Sequence, residues 1–209
     1  MIGRIIETSD CIAEGSAWLV KTEPRFAPVI DQCGPLPLRR KPDGFAQLLS
    51  AITSQQVSVA SANAIWGRLE TAGMTSVETV AQTSDEDLRA LGLSRQKARY
   101  AKALADANID FDALRSAPTD DVVKTLTAVT GIGVWTAEIY AMFSLGRADV
   151  FAPGDLALQE GAKVLFDLPD RPKDKALRDM ALAWSPWQSI AARALWAYYA
   201  QLKSREGVT

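Results

Sequence analysis

Two short stretches of this sequence concentrate groups able to do chemistry. In LTAVTGIGVWTAEIYAMF, Leu126 to Phe143, an apolar run breaks at Gly131-Ile132-Gly133 and resumes at once in a helical pattern. Glycines there permit positive φ and the close approach of another backbone. The helix expected from Val134 starts with unpaired amides at the positive end of its dipole, which is an anion site by construction. Thr136 adds a hydroxyl in the first turn. The competing reading is a plain tight connection between two helices. The second stretch, DVFAPGDLALQEG, puts Asp155 directly after Pro153-Gly154 at an expected helix N-terminus. There it is either an ordinary N-cap or a carboxylate that the dipole helps keep ionised.

What is missing narrows the chemistry further. The chain has no histidine, which excludes Ser-His-Asp and Cys-His nucleophiles, the HExxH zinc motif and the histidine-containing zinc deaminase signature. Catalysis must therefore rest on carboxylates, hydroxyls, lysines or main-chain groups. Cys11 and Cys33 are the only cysteines, so a four-cysteine zinc or iron–sulfur site cannot form, and the isolated pair is expected to be reduced.

These groups must be positioned by helices, because 3.6-residue periodicity dominates and no run of alternating β-branched residues follows the N-terminal segment. Helices are expected over residues 45–56, 58–72, 76–81, 84–90, 94–106, 119–128, 134–144, 156–166, 173–183 and 186–203. The proline-rich residues 1–43 are expected to be irregular, with at most one helix near Asp10 to Val20. At 209 residues, 48% hydrophobic and 23% charged, the composition is that of a globular chain able to bury its own core. No apolar run reaches the roughly 18 residues that span a bilayer, and the first ten residues lack a signal-peptide pattern, so the expectation is a cytoplasmic protein without membrane contact. Net charge is −2, which argues weakly against a chain-wide grip on nucleic acid. Two local basic clusters stand out, Arg39-Arg40-Lys41 and the set Arg89, Arg95, Lys97, Arg99 and Lys102. Either could be a solvated face or a nucleic-acid patch.

The glycine break, read in full as L-T-x-V-x-G-I-G-x-W-T-A with Asp155 twenty positions after Trp135, resembles the helix-hairpin-helix of the DNA glycosylase superfamily. The resemblance runs from about Phe45 to Tyr199. FAQLLSAITSQQVSVASANAIWGRL looks like the family's first helix pair and minor-groove loop, LGLSRQKARYAKALA like its basic helix, and WSPWQSIAARALWAYY like its closing helix. The match is best to the 3-methyladenine DNA glycosylase II type, in a short form without the N-terminal strand-rich domain. It implies an all-α, two-lobed helical bundle with the helix-hairpin-helix at 126–144 and an active-site cleft between the lobes. One lobe would be residues 44–148, and the other residues 1–43 plus 149–209, with Asp155 in the cleft.

The resemblance also implies roles. Asp155 would be the catalytic carboxylate, since hydrolysis of an N-glycosidic bond passes through an oxocarbenium-like sugar that needs a fixed anion and a water. Strand-cleaving relatives carry a lysine where this chain has Trp135, and use it as a Schiff-base nucleophile; its absence implies a monofunctional enzyme that leaves an abasic site. An N3- or N7-alkylated purine is cationic, needs no general acid to leave, and binds an electron-rich ring. Trp135, Trp196, Ile139 and Phe45 would line that base pocket, with Ile139 standing where the family has an aromatic and Tyr140 one position beyond. Trp184 and Trp187 are expected in the core. Gln56 would fill the gap left by a flipped base, with Gln55 beside it in the minor groove. Gly131, Gly133, Val134 and Thr136 would bind a DNA phosphate, and the carbonyls of Ala128, Thr130 and Ile132 would hold a sodium or potassium ion; no other cofactor and no iron–sulfur cluster is expected. The partner would be double-stranded DNA with alkylated bases, and the protein a monomer. Two rivals remain, a non-catalytic helix-hairpin-helix DNA-binding module and a glycosylase for uracil, mismatched or deaminated bases.

Overall fold

The computed structural model describes residues 2–205. Among them the chain is helical, with one isolated antiparallel bridge between Ile5 and Arg147. The helices are α1 Ser9–Thr22, α2 Ala27–Cys33, α3 Phe45–Ser54, α4 Val59–Thr71, α5 Val77–Gln82, α6 Asp85–Ala90, α7 Arg95–Asp106, α8 Phe111–Ser116, α9 Thr119–Thr127, α10 Val134–Phe143, α11 Leu156–Leu165, α12 Asp174–Ala181 and α13 Gln188–Arg205. Short 3₁₀ turns precede α2 and follow α12. No helix among the described residues is long and apolar enough to cross a membrane.

Serine caps set many of the boundaries. Ser58, Ser76, Ser84 and Ser94 each accept a hydrogen bond from the amide three residues on, which satisfies one of the orphan donors at each helix start. Two helices go beyond the sequence expectation. α2 forms in the stretch expected to be irregular because Pro24 and Pro28 sit at the first positions of a 3₁₀ turn and a helix, where a missing N–H and a fixed φ do no harm. α8 forms because Asp110 caps the amide of Ala113 at 2.9 Å.

The chain divides into two compact units, residues 41–140 and the two chain ends, residues up to Arg40 with those from Ala141 onward. The second boundary lies inside α10 rather than near Ala148. Residues 141–148 go with the chain ends because the N-terminal segment pairs with them, Ile6 N donating to Gly146 O at 2.7 Å and Ala148 N to Arg4 O at 3.0 Å.

In the 41–140 unit, α7 packs on α3, α5 and α6. Its alanines Ala98, Ala101 and Ala105 are buried together with Leu48, Leu49 and Ile52 of α3, the i, i+3, i+7 spacing of one helix face. Two of the five clustered basic residues are consumed here, contrary to both sequence readings. Lys102 Nζ donates to the carbonyls of Ala81 and Thr83 at 2.7 Å and of Val80 at 3.3 Å, closing the end of α5. Lys97, only 8% exposed, donates to Thr53 O at 2.6 Å at the end of α3. A cation at a helix C-terminus meets both orphan carbonyls and the negative dipole end. Arg89, Arg95 and Arg99 stay exposed.

In the other unit, α13 packs against α1, α2 and α11. Gly161 lets α11 approach, since a Cβ there would lie 2.9 Å from Leu195 O. Trp184 and Trp187 are core residues, 2% and 5% exposed. Trp184 meets Phe26 edge-on at 5.5 Å and stacks on Phe166 at 5.6 Å.

Candidate active site

Asp155 is the N-cap of α11. Its Oδ1 accepts from the amides of Ala157 at 2.9 Å and Leu158 at 3.2 Å, so a plain capping role and a functional one begin from the same geometry. A third donor separates them: the indole Nε1 of Trp196, on α13, donates to the same Oδ1 at 3.1 Å. A carboxylate oxygen held by two helix amides and an indole is fixed in place. The loop before it is fixed as well, with Asp155 N donating to Ala152 O at 3.0 Å and Gln159 Nε2 to Pro153 O at 2.8 Å. The close α11–α13 approach at Gly161 is what brings Trp196 within reach.

Trp196 is half-buried, and its ring packs on Phe143 with centroids 5.8 Å apart and planes tilted by 32°. Phe143, four positions after Ile139 on α10, was not singled out by sequence reasoning. Its only signal was that helical spacing, which any apolar helix repeats.

The turn of the hairpin and the start of α10 lie within the 41–140 unit. α9 ends at Thr127, the chain turns through Ala128–Gly133, and α10 begins at Val134. The two glycines divide the work. Gly131 has φ 99°, and a Cβ on it would lie 2.3 Å from Cγ of Tyr100; only glycine fits, for both reasons. Gly133 has ordinary φ, and a Cβ on it would meet nothing within 4 Å, so the space beside it is open. Val134 is 48% exposed and Thr136 buried at 8%. Open backbone at the start of a ten-residue helix is the geometry that receives an anion.

The two glutamines of the α3–α4 turn part company. Gln55 Nε2 donates to Gly131 O at 2.9 Å, tying this turn to the hairpin. Gln55 is therefore a tether between the two turns. Gln56 is exposed, with φ 55°, a left-handed conformation that a non-glycine residue adopts at a cost. Val57 and Val59 beside it are 40% and 77% exposed.

Of the expected pocket residues, Trp135 is 46% exposed and Phe45 8% exposed, and Ile139 is half-buried. Phe45 starts α3, where the preceding Gly44 N donates to the Tyr140 hydroxyl at 2.7 Å. Burial pushes the Tyr140 phenol up to about 12. Tyr140 itself is 4% exposed; the ring adjacent to the expected aromatic position is thus a structural one. Cys11 and Cys33 are not joined in a disulfide. Among the described residues no group of acidic or cysteine side chains is arranged to hold a metal ion.

The family described as HhH-GPD superfamily base excision DNA repair protein matches residues 49–187. A solved Bacillus halodurans DNA-3-methyladenine glycosidase is 36% identical, with a TM-score of 0.81 over 89% of this chain and 89% of that one. The Schizosaccharomyces pombe 3-methyladenine DNA glycosylase, solved in complex with abasic DNA, is 26% identical, with a TM-score of 0.76 over 88% of this chain and 95% of that one. YfjP of Bacillus subtilis is 34% identical over 123 residues, which are 57% of this chain and 43% of that relative, so the chain spans less than half of its length.

Proposed function

The chain belongs to the HhH-GPD superfamily of base excision DNA repair proteins, and from that premise we propose that it is a monofunctional DNA glycosylase hydrolysing the N-glycosidic bond of alkylated purines. The observation that carries this reading is the Asp155 carboxylate, held through Oδ1 by two helix amides and the Trp196 indole. A fixed anion of this kind stabilises the oxocarbenium-like sugar as the base departs and orients the water that replaces it. No proton need be supplied to the leaving base when alkylation has already made it cationic, and the absence of histidine is no obstacle.

The order of events follows from the residues present. Amides at the start of α10, with Gly133 open beside them, hold a backbone phosphate. The carbonyls of Ala128, Thr130 and Ile132 are neutral, hard oxygen donors on one turn and fit a sodium or potassium ion, which would draw the phosphate to the hairpin by its charge. Gln56, exposed on a strained turn, enters the gap in the stack once the base has left it. The Trp196 ring offers an electron-rich face to a cationic base. With Trp135 where a lyase needs lysine, no Schiff base forms and the product is an abasic site. The protein would act as a monomer on duplex DNA in the cytoplasm.

Base release from methylated duplex DNA tests this directly. Wild type should free 3-methyladenine and 7-methylguanine in preference to hypoxanthine and uracil, and Asp155→Asn should lower the rate by about 10²–10³ or more with DNA affinity retained. Equal release by the variant would refute the assignment, and preference for uracil would move the substrate to neutral bases.

A further inference from the structure

A second group of cations remains once the hairpin and Asp155 are accounted for. Arg193 on α13 is 2% exposed. It is held by carbonyls alone, Nη1 donating to Ser189 O at 2.9 Å and Nη2 to Leu38 O at 3.2 Å. Its guanidinium lies 4.8 Å over the Phe143 ring, and its buried Nε has no hydrogen-bond partner. Arg40 reaches the same residue from the surface, Nη1 donating to Phe143 O at 3.5 Å. Arg39 follows directly on Leu38, is exposed, and holds φ 51°. Two guanidiniums, those of Arg40 and Arg193, thus meet at Phe143, with Arg39 close enough to act on the charge of Arg193, and Arg193 stands one turn of α13 from Trp196 and its bond to Asp155.

Nothing described neutralises them. Elsewhere in this unit Arg4, Arg25, Arg171 and Arg178 pair with Glu14, Glu23, Glu160 and Asp174, whereas Arg39, Arg40 and Arg193 pair with no carboxylate among the described residues. The buried member feels the excess: desolvation and then the charges of Arg39 and Arg40 push the Arg193 guanidinium down to about 10. Clustered like charges that are retained without counter-charge destabilise the free protein and favour an anion brought by a ligand. Planar guanidiniums match a phosphate's oxygens best.

We infer that Arg39 and Arg40, seated over the buried Arg193, bind a backbone phosphate of the DNA, a contact separate from the hairpin. The inference rests on the reading that the chain works on DNA, and it gives Arg39-Arg40 the role that the sequence left open. Neutralising one phosphate contributes about 0.9 to the slope of log affinity against log salt.

The test is the salt dependence of binding to a duplex with a central tetrahydrofuran abasic analogue, for wild type and the R39Q/R40Q double variant, with base release run in parallel. The double variant should bind more weakly, with a slope shallower by about 0.9, while Arg40→Lys should keep most of the slope. Should the double variant unfold, the exposed R39Q single variant gives the same reading. An unchanged slope overturns the inference even where wild type releases alkylated bases; a shallower slope upholds it even where no base is released. Failure of wild type to bind the duplex overturns both.

Discussion

Replacing Trp196 by phenylalanine would keep a ring against Phe143 and remove only the N–H that Asp155 Oδ1 accepts at 3.1 Å. A hydrogen bond to a charged group contributes about 1.5–3 kcal/mol, so W196F should slow single-turnover base release by about tenfold or more and leave affinity for abasic-analogue DNA nearly unchanged. A loss of affinity with no loss of rate would mean that Trp196 acts on the DNA and not on Asp155. At this scale the sequence was legible where a residue's chemistry is rare and its surroundings local. Asp155 declares itself as a helix N-cap through the preceding Pro153-Gly154 and the helix that follows. Phe143 does not, because one aromatic in an apolar helix looks like the next. Lys97 and Lys102 were legible as charges but not as caps, since the carbonyls they close belong to α3 and α5, 44 and about 20 residues away in sequence.

The hairpin poses its question at the scale of elements, since its two glycines look alike in sequence and differ in the fold. Gly131→Ala forces a side chain into the left-handed region and into Tyr100, at a cost of roughly 2–4 kcal/mol from strain and overpacking. Gly133→Ala meets nothing within 4 Å, so its effect on folding should stay within about 1 kcal/mol, while its methyl obstructs a phosphate approaching the start of α10. Urea unfolding and duplex binding together check the contrast: G131A loses stability, G133A loses affinity. Equal losses of stability would remove the distinction. The helices were readable from periodicity and serine caps, to within a residue or two at most ends. α2 is obscured in the sequence because proline breaks a helix interior but here stands at helix starts, and the Gln55 tether is obscured because its partner is the Gly131 carbonyl, 76 residues on.

Across the whole molecule, the joining of both chain ends into one unit is what the family resemblance implies, but its edge inside α10 depends on the pairing of residues 4–6 with 146–148, which no periodicity records. Titration is the property that the full composition governs. With no histidine, no imidazole changes charge between pH 6 and 8, and on the alkaline side burial displaces both the Arg193 guanidinium, downward, and Tyr140, upward. Its phenol is pushed from 10.0 up to about 12 by burial, so the folded state holds the proton more tightly than the unfolded chain does. That contribution is present in full below pH 10 and is lost as pH rises through 10 towards 12. Tyr140→Phe should cost about 1 kcal/mol at neutral pH, because the Gly44 amide loses its acceptor. It should also remove the alkaline decline that belongs to the phenol, so the stability advantage of wild type over the variant narrows from pH 10 upward. Urea unfolding of both proteins from pH 8 to 11.5 measures that difference; if it stays constant, the Tyr140 hydroxyl is not the group that burial protects.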